Sequence, residues 1–332
     1  MSARTYAVIG SNCFTGSHIV DLLLQKAENE VVGISRSQEK SGVFLPYKWH
    51  PVAGRFQFHQ VDLVRESDRL IELLDDLKPA YVINVAALSE VGLSNSQPVE
   101  YFETNTMGVV KLCNQLRSRG YLKRYVHVSS AEVYGSCAHP LKEEAPLNPS
   151  TPYAASKAAA DFYLLTLWRN FGFPMNLVRS TNVYGRGQQL FKIIPRTVIY
   201  LTKGQKIELH GGGKAVKTWI HIRDAAKAVQ AVLERGKPGE IYHFSDENSC
   251  TITDLVRRIC QEMETVFDAC TTSVPERLGQ DAKYVLDYSK ARRQLGWRPE
   301  VPFEEGIREV IDWVRENWED MADEPLLYVH KV

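Results

Sequence analysis

The chain has 332 residues, of which 44% are hydrophobic, 24% charged and 10% aromatic, and its 40 basic side chains are matched by 40 acidic ones. Such a composition excludes collagen-like, coiled-coil and largely disordered chains, and the length suggests two lobes at about 100–200 residues per domain. A formal charge of zero leaves no overall basic excess for non-specific binding to nucleic acid or an anionic membrane.

The N-terminal residues MSARTYAVIG run straight into a strand-like segment, with no room for a signal peptide. No stretch reaches the ~18 consecutive apolar residues of a membrane span. From residue 6 onward, β-branched runs at 6–9, 30–35, 56–62, 81–86, 125–129 and 175–180 alternate with helix-like segments at 16–26, 68–77, 101–120 and 152–171. Strands alternating with helices predict βαβ units around a parallel sheet. Runs such as YVINVAA and RYVHVSS are almost continuously apolar, as expected of strands covered on both faces. The expected fold class is therefore α/β, a Rossmann-like doubly wound parallel sheet.

Beyond Tyr184 the pattern changes to a loop-rich stretch containing Gly211-Gly212-Gly213. A helix over 223–235 and a strand over 241–244 return to the sheet, and an amphipathic helix follows near 302–317. Residues 1–184 with 220–246 are expected to form one domain. Residues 185–219 with 247–332 are expected to form a smaller, sequence-discontinuous lobe. Six scattered cysteines (13, 113, 137, 250, 260 and 270) form no C-x-x-C pair, which predicts free thiols in a reducing cytoplasm and no zinc site. His221 and His243 lie in apolar runs without paired-ligand spacing and are expected to be structural. Gly211-Gly212-Gly213-Lys214 lacks the spacing of a phosphate loop.

The first strand ends in Gly10-Ser11-Asn12-Cys13-Phe14-Thr15-Gly16, just where a helix opens. A glycine turn at a helix N-terminus lets backbone N–H groups and the helix dipole approach a pyrophosphate. A plain strand-to-helix turn reads the same locally, but the first βα turn is where a dinucleotide belongs. The second strand ends at Ser35-Arg36. A carboxylate there would bind a ribose 2′-OH, whereas an arginine suits a 2′-phosphate, so the chain leans toward NADP over NAD. Asp62 is either an adenine partner or a cap. Tyr153 and Lys157, four residues apart behind Thr151-Pro152, share a helix face. A neighbouring ammonium, together with the cofactor's positive nicotinamide, is expected to lower the tyrosine pKa.

Taken together, Gly10 to Gly16, Val85-Ala86-Ala87, Ser130, Tyr153-x-x-x-Lys157 and Arg179-x-x-Asn182-x-Tyr184-Gly185 resemble the extended short-chain dehydrogenases. Lys192-Ile193-Ile194-Pro195, Trp219-Ile220-His221-Ile222-x-Asp224 and Leu295-Gly296-Trp297-x-Pro299 are similar to the nucleotide-hexose 4,6-dehydratases among them. The resemblance implies a tightly bound NADP or NAD, regenerated within the cycle. Its contacts would come from Gly10, Asn12, Cys13, Phe14, Thr15, Gly16, Ser35, Arg36, Asp62, Leu63, Ala86, Ala87, Asn105, Tyr153 and Lys157. It also implies catalysis by Ser130, Glu132, Tyr153 and Lys157. A nucleotide-diphosphate sugar would be held by Ser89, Ser130, Glu132, Asn182, Lys192, Lys217 and Arg277.

By the same resemblance the reaction would be a 4,6-dehydration to a 4-keto-6-deoxy sugar. Ser130-Ala131-Glu132 stands where related dehydratases carry Thr-Asp-Glu, so Glu132 remains as a base and the usual acid is missing. With Ala131 unable to donate, Glu132 would also protonate the leaving hydroxyl. An epimerase, a decarboxylase or a non-catalytic dinucleotide-binding regulator are the rival readings. Apolar positions Ala159, Phe162, Tyr163 and Leu167 on one helix, with Phe102, Val109, Val110 and Leu112 on its neighbour, predict a homodimer joined by a four-helix interface.

Overall fold

The computed structural model describes residues 4–52, 54–276 and 281–328. Strand β1 (Arg4–Ile9) runs into helix α1 (Phe14–Leu24), followed by β2 (Asn29–Ser35), β3 (Phe56–Gln60), α2 (Ser67–Leu77) and β4 (Tyr81–Asn84). Short helices α3 (Val91–Ser94) and α4 (Pro98–Phe102) precede α5 (Gly108–Leu116) and β5 (Arg124–Val128). Helix α6 (Pro152–Phe171) leads to β6 (Met175–Ser180) and β7 (Asn182–Tyr184). Then come α7 (Ile193–Thr202), β8 (Ile207–His210), β9 (Val216–His221), α8 (Ile222–Arg235) and β10 (Ile241–Phe244). The last part holds β11 (Ser249–Thr251), α9 (Ile252–Glu262), α10 (Phe267–Cys270), β12 (Thr271–Val274), α11 (Ser289–Leu295), α12 (Phe303–Glu316) and α13 (Trp318–Met321).

Seven strands form one sheet in the order β10-β6-β5-β4-β1-β2-β3, every pair parallel. Adjacent residues of a strand feed opposite faces. Val8, Ile83, Val126 and Val178 pack with α1 and α8. Ala7, Val82, Tyr125 and Leu177 pack with α2, α5 and α6. This two-sided burial is why the strands read as unbroken apolar runs. Strand order reverses between β1 and β4, so a crevice opens beyond their carboxyl ends, where ligands bind in such sheets.

A three-stranded sheet β11-β9-β7 and a two-stranded pair β12-β8 build the second layer. Its own core joins α7, α9 and α12 through Ile194, Val198, Leu255, Ile259, Ile307 and Val310. Asn182–Tyr184 pairs with Trp219, Ile220 and His221, so this segment belongs to the small sheet rather than to the end of the large one. A bridge from Leu141 to Leu286 ties the two layers, and one from Val216 to Lys283 lies within the second.

The helix expected over 101–120 is interrupted by a π-turn at Glu103–Met107. The wider turn accommodates two demands. Asn105 reaches back to the Leu88 backbone, and Gly108 presses against Leu63, which a Cβ would meet at 3.0 Å. Gly211, Gly212 and Gly213 form a short turn with φ values of 57, 67 and 66°, a conformation suited to glycine. No helix among the described residues is long and apolar enough to cross a membrane.

Candidate active site

The glycine turn is built by close approach. Gly10 has φ 91°, and a Cβ there would lie 2.7 Å from the Ala86 nitrogen. A Cβ on Gly16 would lie 2.1 Å from the Gly10 carbonyl oxygen. Cys13, where an ordinary capping side chain stands, accepts the Gly16 N–H on Sγ at 3.3 Å. Asn12 holds the turn to the end of β2. Its N–H donates to Ser35 Oγ at 3.0 Å, and its Oδ1 accepts from the Lys40 N–H at 2.9 Å.

Around this turn Gly10, Asn12, Cys13, Ser35, Arg36, Asp62, Leu63, Ala86 and Ala87 line one cavity, joined by Ser37 and Lys40. The cavity continues past Cys13 into a second one of about 340 Å³ that Phe14, Thr15, Ser89, Ser130, Glu132, Tyr153 and Lys157 line. The residues fit a dinucleotide: a cradle that excludes side chains, a helix N-terminus and a trough leading to Tyr153. Asp62 also caps, its Oδ1 accepting from Val64 and Arg65 N–H groups. Asn105 lines neither cavity. It is buried, and bonds Leu88 N, Leu88 O and Ser156 Oγ at 2.9–3.0 Å. Asn105 therefore holds the loop after β4 at Leu88.

Helix α6 starts at Thr151, whose Oγ1 accepts the Ala154 N–H, with Pro152 in its first turn. Tyr153, Lys157 and Asp161 follow at four-residue spacing and turn one polar stripe toward β5. Asp161 is fully buried and accepts from Ser129 Oγ at 2.9 Å and from Arg179 Nε and Nη2 at 3.0 and 2.8 Å. Arg179 continues to the Tyr134 hydroxyl, which meets His243 Nε2 at 2.7 Å. His221 is equally occupied, Nδ1 accepting from the Arg223 N–H and Nε2 facing Glu309.

Lys157 Nζ donates to the Val128 carbonyl at 2.8 Å and to His127 Nε2 at 3.1 Å. Burial keeps His127 neutral by holding its pKa well below the ordinary value, which leaves Nε2 free to accept. Burial also brings Lys157 down to about 8, against the Asp161 charge. The lowering expected for Tyr153 counts the nicotinamide charge as well as Lys157; the protein's own groups act in the other direction. Burial and the Glu132 charge raise its pKa, with only the Ser130 hydrogen bond working the other way. Lys157 directs two of its three donors to Val128 and His127.

Ser130 caps the turn that carries Glu132, its Oγ accepting the Glu132 N–H at 3.1 Å. Burial pushes the Glu132 carboxyl up to about 7, against the attraction of Lys217. A third cavity, about 220 Å³, shares Glu132, Asn182, Lys192 and Trp219 with the second and adds Glu90, Arg196, Glu208, His210 and Lys217. Asn182 is fixed by Thr218 O and the Tyr284 hydroxyl. Lys217 donates to Asp281 O at 3.0 Å over the Tyr284 ring. Lys192 pairs with Glu90 at 2.9 Å. Arg277 lies outside the described residues. His127, Asp161 and Glu90 are the functional neighbours that the sequence reading missed; an inward polar residue in the run YVHVSS and the continued four-residue spacing were the available signals for the first two.

A family model described as GDP-mannose 4,6 dehydratase matches residues 8–310. A dTDP-glucose 4,6-dehydratase of Streptomyces niveus is 35% identical over 256 residues, spanning 75% of this chain and 76% of that protein. The dTDP-D-glucose 4,6-dehydratase of Mus musculus is 31% identical over 326 residues, spanning 95% and 90%. A crystal structure of a dTDP-glucose 4,6-dehydratase from Streptomyces venezuelae with NAD bound has a TM-score of 0.89 at 31% identity, covering 95% of this chain and 98% of that one.

The two tuned groups predict a pH profile. Glu132 must be ionised to accept a proton, and Lys157 must be protonated to act as a cation. In the free enzyme kcat/KM is expected to rise as pH passes about 7 and to fall as it passes about 8. A profile flat through both values contradicts these roles.

Proposed function

The chain belongs to the GDP-mannose 4,6 dehydratase family and is an extended short-chain dehydrogenase of the nucleotide-sugar dehydratase type that uses a nicotinamide dinucleotide; from that premise we propose that it converts a nucleoside-diphosphate hexose into a 4-keto-6-deoxy sugar nucleotide. The observation that carries the reading is Glu132, a carboxyl brought to about 7 in the cavity that also holds Ser130, Tyr153 and Lys157. Such a group is matched to removing a proton alpha to a ketone near neutral pH.

The large sheet holds the dinucleotide, and the smaller lobe holds the sugar nucleotide. Bound beside Tyr153, an oxidised nicotinamide supplies the hydride acceptor and a positive charge that favours the phenolate. Tyr153, aligned by Ser130, takes the C4 hydroxyl proton. Lys157, held by Val128 and His127, keeps a cation beneath the reacting centre. Glu132 then removes the C5 proton that the new ketone has acidified; once water has left from C6, return of the C4 hydride to C6 and of a proton from Glu132 to C5 would complete the 4-keto-6-deoxy product and leave the dinucleotide oxidised. Asn182, Lys192 and Lys217 face the diphosphate from the second layer, Lys217 as a point charge without a guanidinium's fork.

Incubation with nucleotide hexoses, followed by mass spectrometry, is expected to give a product lighter by one water. Product of unchanged mass would mean epimerisation, and loss of CO₂ would mean decarboxylation; either overturns the dehydratase reading. For the cofactor we propose NADP, because Arg36 and Lys40 line the cavity at the strand end where a carboxylate would select NAD. Extraction of the purified protein is expected to release NADP, and release of NAD alone contradicts this.

We also propose a homodimer through α4, the π-turn and α6. Leu167, Val109 and Leu112 are buried against the sheet, contrary to their expected place on the outer face. The outward surface keeps the expected Phe102 and Phe162 and adds Val99, Met107 and Phe171, all exposed. Contiguous apolar surface of this kind marks an interface. Light scattering is expected to give twice the chain mass, falling to one chain in Phe162→Glu; a monomeric wild type contradicts the interface.

A further inference from the structure

Dehydration requires two proton transfers, one from C5 and one to the departing C6 hydroxyl. Glu132 accounts for the first. Ala131, beside it, has no proton to give, and it packs among Val133, Tyr134 and Ala158. Among the described residues three other carboxylates line the cavity shared with Glu132: Glu90, Glu208 and Asp281. Asp281 is held by Ser136 Oγ at 3.0 Å. Glu208 is exposed on β8. Glu90, on the loop from β4 to α3, is paired with a lysine that lines the same cavity, Lys192. Its side chain is only 22% exposed, and its charge is felt by Glu132, though less than that of Asp281.

We propose that Glu90 is the general acid of the dehydration, switched on when the substrate diphosphate draws Lys192 away from it. This rests on the dehydratase reading above. The groups facing Glu90 are Lys192 from the approach to α7, Glu132 from the turn after β5, Tyr101 from α4, whose hydroxyl donates to the Glu90 carbonyl, and Tyr328. Without substrate, Glu90 is paired with Lys192 at 2.9 Å. A diphosphate is a stronger attractor for that ammonium than one carboxylate. Once Lys192 leaves, two carboxylates share a partly buried cavity, and such a pair retains a proton. The departure of Lys192 also removes a charge that favours an ionised Glu132, but Lys217, the stronger of the two there and fixed by Asp281 O, stays in place, whereas Glu90 loses its ion-pair partner. The proton therefore resides on Glu90. In the step itself the C5 proton passes to Glu132 as the C5–C6 double bond forms. The C6–O bond breaks, the leaving oxygen takes the Glu90 proton, and water departs. No oxidant or reductant enters this step, and Glu132 is relieved of protonating the leaving group.

The test compares a nucleotide hexose with its 6-deoxy-6-fluoro analogue, whose fluoride leaves without needing a proton. Glu90→Gln is expected to lower kcat on the hydroxyl substrate by about 100-fold or more while remaining close to wild type on the fluoro analogue. Glu132→Gln is expected to be slow on both. Thermal melting and retained dinucleotide verify that Glu90→Gln is folded. Calorimetry of dTDP binding in two buffers of different ionisation heat is expected to show proton uptake by wild type and none by Glu90→Gln. An unimpaired Glu90→Gln, equal losses on both substrates, or dTDP binding by wild type without proton uptake overturns the proposal. Wild-type protein that dehydrates no nucleotide hexose overturns the dehydratase reading as well, which separates the two failures.

Discussion

The site depends on one buried carboxylate, Asp161. It lies at no exposure in the interior, and its cost in desolvation is offset only because Ser129 and Arg179 bond it from two different strands' ends. Removing one partner of such a pair typically costs about 3–5 kcal/mol, because a buried charge is left uncompensated. The same bonds fix the rotation of α6 against β5 and β6. Tyr153 and Lys157 sit two turns and one turn before Asp161 on that helix, so the rotation also decides where their polar atoms lie.

Two consequences run through the molecule. With a polar stripe of α6 facing the sheet ends, part of the helix's apolar side, Phe162 and Phe171, is left outward. The second consequence is electrostatic. Burial that destabilises charge moves an acid up and a base down. Glu132 rises to about 7 while Lys157 falls to about 8, which brings both within reach of neutral pH. The intermediate exposure of Glu132 comes from the mouth shared by two cavities, so substrate itself would complete its enclosure.

Much of this was legible before any coordinates. Strands Met175–Ser180 and Ile241–Phe244 and helix Pro152–Phe171 match the expected spans, because burial on both faces and the Thr151-Pro152 start leave strong local signals. The π-turn at Glu103–Met107 did not show, since its cause is Asn105 bonding Leu88, 17 residues away. Leu167 and Phe162 look alike in an apolar helix; only the anchoring by Asp161 decides which of them faces the sheet. The upward push on Tyr153 from burial and the Glu132 charge was not legible, because both arise from segments far from it in sequence. Glu90 was unreadable for a similar reason: its relation to Glu132 and Lys192 exists only where two layers meet.

The central claim is that a carboxylate in this cavity exchanges the C5 hydrogen while the hydrogen from C4 stays within the site. Turnover of a nucleotide hexose in D₂O, with the product examined by proton NMR, tests this most directly. The account predicts deuterium at C5 and none at C6. Product with solvent deuterium at C6, or with an unlabelled C5, would contradict it.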